Sequence, residues 1–327
     1  MLRVCSFEIE PLADESLGVR SMSILVATPD IVLLLDPGVS LAPRRFNLPP
    51  HPEEFRALAE ARIRIVDRAQ DAEVLVVSHY HRDHFTPPYE SLYECCNRND
   101  FVSMYSGRKE LLVKALDNKT PFNQKKRAWQ LTRELEKLGV RVRRVVEESI
   151  SFGSTTLSFL PASHGSAKLG NVLVVILKYR DECTLVYAPD VQGPVDEAAF
   201  SRILATSFNI AIIGGPPLYL EEKSEELASI AQKGLANLAT LVKANPRRVI
   251  VSHHLLRSPD WVEALEQHGV SEGDVLTYSS VRGGPLTLLE ANRKLLFESD
   301  PPPSSYENIL AKHKGRKCTQ LLHEIQG

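Results

Sequence analysis

Cysteine is scarce in this chain and poorly spaced for structural work. Cys5, Cys95, Cys96, Cys183 and Cys318 are odd in number and show neither paired metal-type spacing nor the density of a disulfide framework. That excludes a thiolate zinc finger and predicts reduced, intracellular thiols. Long apolar runs are also missing, so no membrane-spanning helix and no membrane partner are expected, and the protein reads as soluble. Residues Met1 to Glu10 alternate like a strand and carry Arg3, Glu8 and Glu10 where a secretory leader would be apolar, which predicts a cytoplasmic location. Neither sign of charge dominates: 39 Lys and Arg stand against 41 Asp and Glu, for a formal net charge of −2. This argues against a protein that holds polyanions by bulk electrostatics, although a local basic patch is compatible with it. Low-complexity tracts and short-period repeats are absent.

What is present is a histidine cluster. Val74-Leu75-Val76-Val77-Ser78 has the length and branched apolar composition of a buried strand, and it runs straight into His79-Tyr80-His81-Arg82-Asp83-His84. His79 and His81 lie two apart, so at an extended strand end their rings leave on the same side. Asp83 and His84 then turn toward a neighbouring position. Four such groups packed without a cation would be costly to bury, and imidazole with carboxylate suits zinc, and also iron or manganese. With ten histidines in the chain, composition alone yields this pattern roughly once in a few thousand sequences, so a His-rich turn without chemistry is the weaker reading.

Around this motif the chain alternates strands and helices. Arg3–Glu10 reads as a strand; Ser21–Ala27 and Ile31–Leu35 read as a hairpin turning at Thr28-Pro29-Asp30; Glu53–Gln70 has helical apolar spacing. A polar, partly helical insertion is expected over about 86–139, with Phe101–Tyr105 a candidate strand and Gln124–Leu138 a helix. Its basic residues, from Arg108 through Lys114 to Lys125, Lys126 and Arg127, read first as a solvated face and second as an anion-binding surface. Strands follow at Val140–Glu147, Thr155–Leu160, Val172–Tyr179, Cys183–Tyr187, Asn209–Ile213 and Arg248–Ser252. Helices are read near Asp196–Leu204, from about Leu227 to Asn245, and over Trp261–Gln267. Val281–Leu289 is read as one or two strands. The expected organisation is one domain over 1–299, then a linker and a short C-terminal helix over 300–327.

Four apolar runs end in a potential ligand: His79, His164, Asp190 and His253. In open α/β sheets functional groups gather beyond the strand ends, and this regularity weighs more than any single histidine. The series His79-x-His81-x-Asp83-His84, His164, Asp190, His253 resembles the ligand series of the metallo-β-lactamase superfamily, and Asp36-Pro37-Gly38 resembles its early Asp-x-Gly element. The resemblance runs from Ser21 to about Leu256. Ser16 to Met22, Asp36 to Val39 and His253 to Arg257 further resemble an uncharacterised, mainly archaeal branch of predicted metal-dependent hydrolases with no assigned substrate.

The resemblance implies an αββα four-layer sandwich of the α/β class with two divalent metal ions at one edge, zinc first and iron or manganese as alternatives. His79, His81 and His164 would hold one ion; Asp83, His84 and His253 the other; Asp190 would bridge them. His253 and His254 are adjacent, and His253, first after its strand, is the favoured ligand. His254 is left as a proton donor to the leaving group, and Asp83 also orients the nucleophile. Asp36 stands behind the ligands. Tyr187 and Tyr219 are read as core or rim. The implied activity is a hydrolase that directs a metal-activated hydroxide at an ester, lactone or phosphodiester. Three other readings stand beside it: a nuclease acting on RNA or DNA, which the charge balance disfavours; an iron-dependent redox enzyme; and a metal-stabilised scaffold without catalysis. Diiron flavoprotein relatives carry Glu where His81 stands, and no flavin domain follows.

Overall fold

Strand residues that are buried on both faces need cover on both sides, and the computed structural model of the chain, which describes residues 1–165 and 168–326, supplies it with two stacked sheets and two helical layers. The first sheet carries seven strands in sequence order: β1 (Leu2–Val4), β2 (Phe7–Asp14), β3 (Met22–Ala27), β4 (Val32–Leu35), β5 (Val74–Val77), β6 (Glu110–Lys114) and β7 (Arg141–Val145). β1 to β4 pair antiparallel, and β4 to β7 parallel. The second sheet repeats the plan with β8 (Ser149–Phe152), β9 (Thr155–Ser163), β10 (Asn171–Tyr179), β11 (Cys183–Ala188), β12 (Ile210–Gly214) and β13 (Val249–Ser252). Here β8 to β11 are antiparallel and β11 to β13 parallel.

Helices α1 (Pro52–Arg68), α2 (Arg98–Tyr105) and α3 (Phe122–Lys137) cover the first sheet, while α4 (Glu197–Ala205), α5 (Glu225–Ala244) and α6 (Trp261–Glu266) cover the second. The period of two decides which core each strand residue enters. Leu33, Leu35, Val74 and Val76 meet Leu173, Val175, Leu185 and Ile212 between the sheets. Their neighbours Leu34, Leu75 and Val77 point outward under Phe55, Leu58 and Ile65 of α1. The arrangement is the expected αββα sandwich.

Several local expectations are corrected. Phe101–Tyr105 is helical, the end of α2: Asn97 and Asp100 cap each other's backbone, and Phe101, Met104 and Tyr105, spaced three and four apart, form one buried face. Val281–Leu289 is not a strand pair. α7 (Tyr278–Arg282) occupies its start, Gly283 ends that helix in the left-handed region, and only an isolated bridge joins Leu17 to Thr287. The strand read over Arg3–Glu10 breaks at Cys5, whose φ is 50°. The segment 86–139 supplies β6 and two helices, so it is built into the first layer pair and is not an addition to it.

After α8 (Arg293–Ser299), the C-terminal segment forms two helices, α9 (Tyr306–Lys312) and α10 (Cys318–Gln326), and not one. Tyr306, Leu310 and Leu321 enter the first outer core. This docking overturns the reading of all five cysteines as free thiols: Cys318 meets Cys95 with Cα atoms 4.8 Å apart, and the two form a disulfide across a separation of 223 residues. Cys5, Cys96 and Cys183 remain free. Among the described residues no helix is long and apolar enough to cross a membrane.

Candidate metal centre

The C-terminal ends of β4, β5, β9, β11 and β13 open on one edge of the sandwich, and each delivers a polar residue there: Asp36, His79, His164, Asp190 and His253. Three of them leave their strands in the left-handed region, with φ of 46° at Asp36, 50° at Asp190 and 64° at His253. Non-glycine residues rarely sit there, and such strain collects where a fold must aim a side chain. Gly38 has a different duty. A Cβ at that position would lie 2.1 Å from the Phe85 nitrogen and 2.6 Å from the His84 nitrogen, so only glycine lets this loop lie against the histidine turn.

The seven residues expected as ligands are brought together. His79 Nε2, His81 Nδ1 and His164 Nε2 lie 3.0, 3.6 and 2.8 Å from Asp190 Oδ2. On the other side, His84 Nε2 is 3.4 Å from Oδ2 and His253 Nε2 is 2.5 Å from Oδ1 of the same carboxylate. Asp83 closes that second group, 4.0 Å from His84 and 3.7 Å from His253. The ligand atoms of His79, His81, His164 and Asp190 fall within 4.8 Å of one another, as do those of Asp83, His84 and His253. His254 is also adjacent, its Nε2 3.7 Å from Asp190.

The buried atoms facing this space lack partners. His79 Nε2, His84 Nε2 and both Asp190 oxygens are buried with no hydrogen bond, a cost that native interiors avoid unless something else satisfies the groups. A cation would satisfy them together, since imidazole nitrogens and carboxylate oxygens converge on one space. Burial holds His79, His81 and His254 below the ordinary histidine range, which keeps lone pairs on their rings. It also works against charge on Asp83 and Asp190. The imidazoles facing them, His84 and His253 for Asp83 and His253 and His164 for Asp190, outweigh burial and hold both carboxyls low. Burial opposes the charged form of His253 too, yet Asp190 and Glu15 bring it to about 9.

The rear of the site fixes which ring nitrogen faces inward. Asp36 accepts from the Ser78 backbone N–H at 2.7 Å, the Ser78 hydroxyl at 2.6 Å, the Tyr187 hydroxyl at 2.7 Å and His84 Nδ1 at 2.8 Å. Because the Ser78 hydroxyl donates to Asp36, its oxygen accepts from His79 Nδ1 at 3.0 Å. Both histidines therefore direct Nδ1 to the rear and Nε2 to the centre. Glu15 does the same for His253, 3.1 Å from its Nδ1, and is itself held by Arg257 Nε at 2.7 Å. At His84 burial works against charge, but Asp190 and Asp36 outweigh it and raise the pKa well above the ordinary histidine range, so a cation bound there would displace a proton. Carboxylates behind imidazoles are the usual support of metal-binding histidines.

Sequence reasoning did not find Glu15, Arg257, Ser78 or Gln124 as site residues. The one available signal was the pair of acids, Asp14 and Glu15, following a buried strand. Tyr187, read as core or rim, is buried with its hydroxyl on Asp36, and Tyr219 donates its hydroxyl to His254 Nδ1 at 2.8 Å. Arg257 donates to that same nitrogen at 3.1 Å, so His254 carries its proton on Nε2, facing the centre. A cleft of about 400 Å³ opens over the cluster, walled by Arg20, Arg82, Arg127, Tyr219 and Arg257. Of the basic stretch only Arg127 lines it; Lys114 is buried against Asp117 and Thr120.

A double sheet sandwiched by helices, with a His and Asp cluster at its strand ends, defines a metallo-β-lactamase fold, and the chain belongs to the superfamily: the family model described as Beta-lactamase superfamily domain matches residues 32–254. Within it, the chain is 37% identical over 304 residues to a UPF0282 protein of Pyrobaculum islandicum, covering 90% of this chain and 95% of that one. It is 38% identical over 291 residues to a UPF0282 protein of Methanopyrus kandleri, covering 87% and 97%. Among solved structures it is similar to the metallo-beta-lactamase fold protein YhfI from Bacillus subtilis, at 13% identity and a TM-score of 0.44, covering 83% of this chain and 96% of that chain.

Proposed function

We propose that this protein is a metal-dependent hydrolase whose cluster holds two divalent cations, zinc by preference. His79, His81 and His164 would take one, Asp83, His84 and His253 the other, and Asp190 would bridge them. One observation carries the reading: four buried ligand atoms without hydrogen bonds, on His79, His84 and Asp190, converge with further imidazole nitrogens on one space. The mixed nitrogen and oxygen set suits zinc, with iron and manganese as alternatives. When bound, such cations lower the pKa of water toward neutrality and polarise an oxygen of the substrate.

The chain's own groups do the rest. Asp83, whose side chain is 14% exposed at the cleft, accepts a hydrogen bond from the attacking water and sets its direction. His253 is taken as the ligand and His254 as the donor because His253 Nε2 lies 2.5 Å from Asp190 and 3.7 Å from Asp83, whereas His254 Nε2 is 3.7 Å from Asp190 and its Nδ1 meets Tyr219 and Arg257. His254 instead presents its Nε2 proton to the departing oxygen. An ester, lactone or phosphodiester is the substrate class this arrangement serves. Elemental analysis of natively purified protein, with a panel of those three substrates, tests the reading: about two zinc per chain and turnover abolished by chelation are expected. Turnover that survives complete metal removal would sink it, and abundant iron with a visible absorption band would shift it to redox chemistry.

A further inference from the structure

Four guanidinium groups line the cleft, and three of them already have a carboxylate. Arg20 is forked onto Glu290 at 2.6 and 2.5 Å, Arg82 reaches Glu94 at 3.2 Å, and Arg257 holds Glu15 at 2.7 Å. Arg127 has none. Among the described residues its Nη1 donates only to the carbonyl of Tyr80, at 3.2 Å, the residue between His79 and His81. One helical turn earlier on the same face of α3, Gln124 lies 3.3 Å from His81 Nε2, so the helix presents an amide and an unpaired cation to the metal loop together. Arg127 is partly withdrawn from water, and burial together with Arg82 nearby works against its charge. A cation in that position gains more from an arriving anion than one already neutralised by a buried carboxylate.

We propose that Arg127 is an anion subsite of the metal cleft, and that the substrate carries a phosphate or carboxylate group that this guanidinium holds beside the bond to be cut. The inference deepens the hydrolase reading, and it narrows the substrate from neutral esters and lactones to anionic molecules. It also gives one residue of the basic stretch a task that its neighbours do not share, since Lys126 is exposed on the outer side of α3.

The test is calorimetric titration of the zinc-reconstituted full chain with inorganic phosphate and, in a second arm, with succinate, for wild type, Arg127→Gln, Arg127→Lys and Lys126→Gln. Arg127→Gln should weaken the preferred anion about tenfold or more, Arg127→Lys less, and Lys126→Gln less than about twofold, with zinc content unchanged in all four proteins. The arm that shows the larger loss names the group. Equal affinities for wild type and Arg127→Gln, or equal losses for Arg127→Gln and Lys126→Gln, would overturn the subsite. A chain that takes up no metal yet binds the anion through Arg127 would retain the subsite and defeat the hydrolase reading.

Discussion

Asp36 shows how one carboxylate can govern a centre it does not enter. Its two oxygens accept four hydrogen bonds, and through Ser78 and His84 they decide which nitrogen two histidines offer. Asn tolerates the left-handed backbone at this position but puts an N–H among donors. Asp36→Asn should therefore keep the fold and lose about 10- to 100-fold in zinc affinity, read by competition with a chromophoric chelator. Retention of full affinity would show that the ring orientations are fixed by packing alone.

Glu290 is the second residue whose chemistry sets a measurable. Burial works against its charge, but the forked contact with Arg20 outweighs burial and holds it at about 2, against an ordinary 4.5. A depressed acid contributes stability that is complete above its unfolded value and disappears as pH falls through the folded one. The stabilisation should thus be full above about pH 4.5 and lost by about pH 2, and it amounts to roughly 3 kcal/mol. Glu290→Gln should cost about that much in urea unfolding at pH 7, with the gap to wild type closing across that window.

At the scale of elements, the ligand-bearing strands were legible because their apolar runs are short, branched and followed at once by His or Asp. β5, β11 and β13 lie within a residue or two of their expected bounds. α2 was not legible as a helix, since five residues with three large apolar groups satisfy either period and the capping pair lies outside them. Glu15 was equally hidden: it supports a histidine 238 residues away, and no local pattern reports such a contact. The same holds for Cys95 and Cys318, which meet only because α10 packs on α1. That crosslink closes a long loop, so Cys318→Ser should lower stability by about 2–4 kcal/mol in oxidising buffer and match wild type once reductant is added. Unfolding curves that are identical in oxidising buffer would show that the bridge contributes nothing.

For the whole molecule, the cluster sits on the seam between the two sheets. His79, His81, Asp83 and His84 come from the first half of the chain, and His164, Asp190 and His253 from the second. A ligand that binds only the folded state stabilises it by mass action, and here it would also tie the layers together. Chelation should lower the thermal midpoint and speed amide exchange at the ends of β5 and β11 more than in the outer helices. Exchange that rises uniformly would argue that the seam holds without the ions.

The two sheets follow one plan, antiparallel strands giving way to parallel ones, and only the exposed connection around Val146 joins β7 to β8. Neither portion holds the whole cluster: His79, His81, Asp83 and His84 lie before the link, and His164, Asp190 and His253 after it. A cut at that link would divide the cluster between two pieces still joined by the Cys95–Cys318 bridge, so a metal site there is a property of their union, and only with the bridge reduced would it have to assemble in trans.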